Sequence, residues 1–151
     1  MLLNQAVKET RNISFELAPS VLSDFGLPAT IDELAKRLTT PQLQIKIKVS
    51  GLNTRLNISI ELMIFRIIQE LLNNAIKHSG ASIIKVEIRN NRMLEIVVND
   101  NGKGFDVKEQ EHLPGGTGLS SIRNRLNLYN GNINIRSNPG EGTTVHIALK
   151  L

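Results

Sequence analysis

The sequence predicts an α+β fold: a mixed, mostly antiparallel sheet with helices layered on one face. Three observations carry that expectation. Short alternating segments at 43–49, 83–88, 94–98, 133–135 and 145–149 read as half-buried strands. Turn residues rather than crossovers join most of them. Helical patterns interrupt the hairpins, giving the order helix, strand, helix, strand, strand, helix, strand, strand.

The elements follow in order along the chain. Residues 1–18 carry Leu3, Val7, Thr10, Ser14 and Leu17 at near-heptad spacing, flanked by Leu2, Ala6 and Ile13, which predicts a helix. Pro19 is expected to end it. A short helical turn, the break Phe25-Gly26-Leu27-Pro28 and a second helix to about Leu38 come next, closed by Pro41. This places an appendage at 1–25 and the main domain at 26–151. Leu43 to Val49 alternates strictly, and Gly51 turns the chain into a long helix at 57–78. Ile83–Ile88 and Leu94–Val98 form a hairpin about Asn90-Asn91. A Gly-rich loop runs from Asp100 to Asp106. Residues 107–117 are polar and aperiodic and are expected to be mobile. Leu119, Ile122, Leu126 and Tyr129 mark another helix, and two strands about Asn138-Pro139-Gly140 complete the chain.

Composition bounds the function. The chain has 151 residues, 40% of them apolar, which suits one domain with a real core. Aromatics are only 3% and Trp is absent, so the core is aliphatic and base-stacking platforms for single strands are not expected. The net charge of +4 is spread along the chain without a basic cluster, which argues for an ordinary solvated surface and against direct nucleic-acid binding. Without Cys there are no disulfides, zinc–thiolate centres or thiol nucleophiles. No apolar run approaches the roughly 20 residues of a membrane span. The start does not read as a signal peptide.

Three segments suggest chemistry. On the long helix, Glu70, Asn74, Lys77 and His78 fall within about 100° of arc, opposite Ile64, Ile68, Leu71, Leu72 and Ala75. A carboxamide oxygen suits Mg²⁺, a Glu can take a proton or orient a nucleophile, and a Lys can neutralise phosphate. Asp100-Asn101-Gly102-Lys103-Gly104 follows a strand directly. Its glycines let backbone bend close to a ligand, and its carboxylate can accept from an exocyclic amine but not from a phosphate. Gly115-Gly116-Thr117-Gly118-Leu119 opens a helix and offers free N–H groups to an anion. It matches neither the P-loop nor the dinucleotide fingerprint. Each segment also has a plain structural reading: a solvated helix face, a hairpin turn, a linker with a cap. Their order between residues 70 and 145, ending in Gly142-Thr143 before a strand, is what singles them out.

That series resembles the ATP-binding fold shared by sensor histidine kinases, gyrase, the Hsp90 chaperones and the MutL proteins, known as the GHKL or Bergerat fold, a two-layer α/β sandwich. The likeness covers roughly residues 43–151. Glu70-x-x-x-Asn74-x-x-Lys77-His78, Asp100-x-Gly102-x-Gly104, Gly116-x-Gly118-Leu119 and Gly142-Thr143-x-Val145 match its boxes in turn. The resemblance implies ATP and Mg²⁺ as ligands. Asn74 would ligate the metal. Asp100, supported by Thr143, would bind the adenine amine. Gly102 and Gly104 would pass the nucleotide. Gly116, Thr117, Gly118 and Leu119 would border the phosphates under a lid at about 107–117. Lys77 would approach the phosphates, and His78 completes the first box. Glu70 is the implied base, or orients the reacting groups.

The first 40 residues narrow the resemblance. Arg11, Leu17-Ala18-Pro19, Leu22 and Gly26-Leu27 resemble the end of the dimerisation domain in kinases related to the nitrate and lipid-fluidity sensors. The histidines of this chain are His78, His112 and His146, and none suits the phosphoacceptor role. The resemblance therefore implies a fragment that binds Mg·ATP and donates phosphate but does not phosphorylate itself. It further implies a homodimer, a response-regulator partner, a cytoplasmic location and any membrane anchor outside this chain. The alternatives are an anti-sigma-factor-type serine kinase or a stand-alone ATPase, in which Glu70 would activate a hydroxyl or water. A non-enzymatic binding module is the remaining reading.

Overall fold

A computed structural model describes residues 18–110 and 117–151. Helix α1 (Ala18–Phe25) and helix α2 (Leu27–Leu38) meet at Gly26. Strand β1 (Gln44–Ser50) leads to the long helix α3 (Ile58–His78). The hairpin of β2 (Ile83–Asn90) and β3 (Leu94–Asp100) follows. Then come α4 (Val107–Gln110), α5 (Thr117–Asn127), β4 (Asn132–Ser137) and β5 (Thr143–Leu149). The sheet runs β1-β2-β3-β5-β4. Only β1–β2 is parallel; the other pairs are antiparallel. The expected α+β, mostly antiparallel architecture is what is found.

Register sorts the side chains. Residues directly opposite one another share a face. Ile45, Ile84, Asp100, Thr143 and Ser137 therefore form one cross-strand row, and Ile47, Val86, Val98, Val145 and Ile135 the next. Val49, Ile88, Ile96, Ile147 and Ile133 make a third. This face is covered by α2, α3 and α5, whose Ile31, Leu34, Ile64, Ile68, Leu72, Ile122 and Leu126 are buried against it. Each such aliphatic side chain contributes about 1.5–3 kcal/mol on leaving water. The other face carries Lys46, Lys85, Glu87, Arg89, Glu95 and His146 and stays open. One end of the covered face is polar: the row of Asp100, Thr143 and Ser137 lies where the apolar layers stop.

Local features refine the expectations. Ala18 and Pro19 are both helical, as the first described residues of α1, so whether Pro19 ends a preceding helix lies outside the described residues. The helix expected over 1–18 lies outside the described residues except for Ala18. The β2–β3 turn is displaced from Asn90-Asn91, because Asn90 still pairs with Leu94 and Asn91 to Met93 make the connection. Val107–Gln110 is a short helix rather than aperiodic chain, started by the Asp106 carboxylate accepting from Lys108 N at 2.9 Å. The rest of the expected lid, 111–116, lies outside the described residues.

Leu22 of α1 is 1% exposed and belongs to the same core as Leu27 and Ile31 of α2. Arg55 fastens this corner. Its guanidinium donates to Leu22 O at 2.9 Å and Ser23 O at 3.2 Å, closing the end of α1. It also donates to both oxygens of Glu61, which is 2% exposed. Leu56 N supplies Glu61 with a further bond at 3.1 Å. Chiefly through this hydrogen bonding, Glu61 holds the Arg55 guanidinium above its ordinary pKa. No helix among the described residues is long and apolar enough to cross a membrane.

Candidate functional site

The site lies at the polar end of the covered sheet face, where α3 ends and α5 begins. Helix α3 starts with Asn57, whose side chain accepts from Ser59 N at 2.9 Å, and runs on an apolar stripe. That stripe is buried, so the opposite stripe is fixed towards the site: Glu70 and Asn74 are half-buried, and Lys77 and His78 are exposed. Helix α5 packs on α3 so closely that a Cβ on Gly118 would stand 2.4 Å from Glu70 Oε1 and 2.9 Å from Asn74 Nδ2. A side chain there would have to displace both side-chain ends. The helix start and the carboxylate–carboxamide pair are thus one surface, although 44 positions of sequence separate Asn74 from Gly118 (118 − 74 = 44).

Asp100 ends β3 and is 7% exposed. Its Oδ1 accepts from Gly102 N at 2.8 Å, which turns the chain sharply out of the strand. Gly102 then passes the end of α3: a Cβ would lie 2.4 Å from Ser79 O, and Lys103 N donates to that same oxygen at 2.8 Å. Gly104 has φ +61°, and a Cβ there would lie 2.0 Å from Asn138 O. Only glycine meets both demands. Gly140 N donates to Lys103 O at 2.6 Å, so the loop is pinned to the β4–β5 turn as well as to α3. Asn101 ties it to the start of β2 by accepting from Ser82 N and Ile83 N at 3.0 and 2.9 Å.

Thr143 faces Asp100 across β3–β5, and Ser137 faces Thr143 across β4–β5. The two hydroxyl oxygens are 2.8 Å apart. Ser137, 9% exposed, also accepts from Phe105 N at 2.9 Å and donates to Gly142 O at 3.0 Å. Gly142 in turn has no room for a Cβ, which would sit 2.1 Å from Asp100 O.

The structure therefore brings Glu70, Asn74 and Gly118 together at one end, and Asp100, Gly102, Gly104 and Thr143 at the other. Thr117 opens α5 and Leu119 packs half-buried against the core. Lys77 and His78 stay on the exposed side of α3, one turn beyond Asn74. Gly116 lies outside the described residues. Sequence reasoning missed Ser137, Ser79 and Asn101. Ser137 had a signal: Ile133, Ile135 and Ser137 alternate, so a polar residue stands in an inward position. Ser79 and Asn101 act through local backbone bonds and had none.

The donor set fits the implied ligands. Asp100 and Thr143 sit at the polar end of a sheet face, and the start of α5 faces Asn74. Among the described residues no three His, Asp or Glu side chains converge. A divalent ion at Asn74 would share its coordination with phosphate and water, the habit of Mg²⁺.

Comparison with known proteins places the chain in a family. The family of histidine kinase-, DNA gyrase B- and HSP90-like ATPases matches residues 59–151. The histidine-protein kinase/phosphatase DegS of Brevibacillus brevis is 32% identical over 99% of this chain, which spans 39% of that protein. The sensor histidine kinase MctS of Rhizobium johnstonii is 34% identical over 95% of this chain and is matched over 32% of its own length. Among solved structures, the blue-light activated histidine kinase of Erythrobacter litoralis superposes with a TM-score of 0.73 at 18% identity, over 98% of this chain and 50% of that one. The histidine kinase AdeS of Acinetobacter baumannii gives 0.67 at 18% identity, over 99% of this chain and 81% of that one. These structures share the fold; the family match and the sequence relatives carry more. The chain spans well under half the length of the curated relatives it matches. It belongs to the histidine kinase-, DNA gyrase B- and HSP90-like ATPase family, as an ATPase catalytic domain of the sensor-histidine-kinase kind.

Proposed function

We propose that this domain binds Mg·ATP between α3, α5 and the β3 loop, and donates the γ-phosphoryl group to a histidine outside the chain, from which a response regulator takes it. The juxtaposition of Glu70 and Asn74 with Gly118 supports this most directly, because it sets a metal-competent carboxamide beside a helix start suited to phosphate. Asp100, with Thr143 beside it, would hold the adenine amine. Gly102 and Gly104 would let backbone run along the base. When bound, Mg²⁺ would supply charge neutralisation at the phosphates. Asn74 would hold it, Lys77 would add a mobile cation from the exposed side, and Glu70 would accept or orient the proton of the incoming group. Phosphoryl transfer asks mainly for such positioning and neutralisation.

Residues 1–25 would then be the end of a dimerisation segment, with membrane attachment, where present, outside this chain and the catalytic domain in the cytoplasm. The subgroup of the nitrate and lipid-fluidity sensors remains the best assignment for that segment. The test is radiolabelled ATP with this chain, alone and mixed with a dimerisation segment carrying its histidine. Label on the added segment only is expected. Label on this chain alone would contradict donation in trans and favour a serine kinase. Release of inorganic phosphate without any label on protein would favour a stand-alone ATPase.

A further inference from the structure

We propose that Ser137 fixes the hydrogen-bonding polarity of Thr143, and so makes the base end of the site select a purine that carries an amine over one that carries a carbonyl. The inference deepens the adenine reading above and rests on it.

A hydroxyl has one proton and two acceptor positions. Ser137 uses all three. Its proton goes to Gly142 O at 3.0 Å, and one acceptor position takes Phe105 N–H at 2.9 Å. What remains is one acceptor position, and Thr143 Oγ1 lies 2.8 Å away. Gly142 O can only accept, so with the Ser137 proton assigned to it Thr143 is the donor in that pair. Its only proton points at Ser137, and its free lone pairs are left for the site. Asp100, directly opposite Thr143 in the register, presents carboxylate oxygens, one already accepting from Gly102 N at 2.8 Å. Neither side chain has a proton to offer a ligand. A 6-amino group, directly or through a water, meets two acceptors; a 6-carbonyl meets the same two and finds no donor. Ser137 touches no ligand in this scheme. It is a positioning residue, and its burial at 9% exposure keeps water from taking its place.

The readout is a ratio of affinities, measured by calorimetric titration of the whole chain with ADP and with IDP. IDP replaces adenine's 6-amino group with a carbonyl and its N1 acceptor with an N1–H donor, so the ratio reads the donor–acceptor pattern of that whole edge. Wild type is expected to favour ADP by on the order of tenfold or more. Ser137→Ala releases the Thr143 proton, which can turn to the 6-carbonyl, so the ratio falls several-fold whatever happens to overall affinity. Ser137→Thr keeps the hydroxyl and keeps the ratio. An unchanged ratio in Ser137→Ala overturns the proposal. If that variant does not fold, Thr143→Val decides: removing an acceptor lowers the ratio, whereas a rise would mean that Thr143 donates, against the proposal. A wild type that binds neither nucleotide, or both equally, strikes the adenine reading itself. A selective wild type whose variants keep its ratio strikes only the role of Ser137.

Discussion

At Gly118 a single missing carbon joins two parts of the site. Alanine there would push a methyl towards Glu70 Oε1 and Asn74, whose contacts at 2.4 and 2.9 Å leave no space. Both are side-chain ends and can move, so the fold should survive while phosphate positioning suffers. Gly118→Ala is expected to weaken binding of an ATP analogue by about tenfold, roughly 1.4 kcal/mol, with little change in melting temperature. Gly104 contrasts with it. A Cβ there meets backbone at 2.0 Å with φ at +61°, and backbone cannot step aside. Gly104→Ala is expected to cost about 1–3 kcal/mol of stability, seen as a lower urea midpoint. Both glycines were singled out in the sequence by their motifs. What the sequence could not tell was which neighbour each one touches, because Gly118 meets Glu70 and Gly104 meets Asn138 only once the elements pack. Ser137 was hidden for a different reason: it lies outside every motif, and its three partners come from the loop after β3, the β4–β5 turn and β5.

Among the elements, α3 carries the most. Its apolar stripe, its cap and its polar stripe are all written locally, so its span was readable to within a residue. Asn57→Ala should cost about 1 kcal/mol through loss of the cap. Glu61, on the buried side of the same helix, was overlooked because a carboxylate among apolar positions makes sense only with its partner, Arg55, in view. The pair is asymmetric: Glu61 is 2% exposed, while about half of Arg55 is in water. Arg55→Ala would strand a buried charge and free the carbonyls of Leu22 and Ser23. Glu61→Gln would leave an acceptor in place and a guanidinium that water can reach. Urea unfolding should therefore show a larger loss for Arg55→Ala than for Glu61→Gln, and the reverse order would mean that the cluster does not hold α1 to α3.

For the whole molecule, alternation and helical spacing were enough to give the α+β class, since each strand shows which face it buries. Strand order was not legible: β5 lies between β3 and β4, and nothing local says that β1 adds parallel to β2. That order matters, because it places Asp100, Thr143 and Ser137 in one row and sets it beside the end of α3. The chain matches the sensor-kinase relatives over nearly its full length and covers well under half of theirs. The proposal accordingly divides the work: nucleotide binding on this chain, and a phosphoacceptor histidine supplied from outside it. The most direct measurement is calorimetric titration of the whole chain with a non-hydrolysable ATP analogue and Mg²⁺, for wild type and Asp100→Ala. One saturable site in wild type and a loss of on the order of a hundredfold or more in the variant are expected, the cost of leaving an amine unpaired at a site built to receive it. No heat from wild type, or equal affinity in Asp100→Ala, would contradict the adenine site at the end of β3.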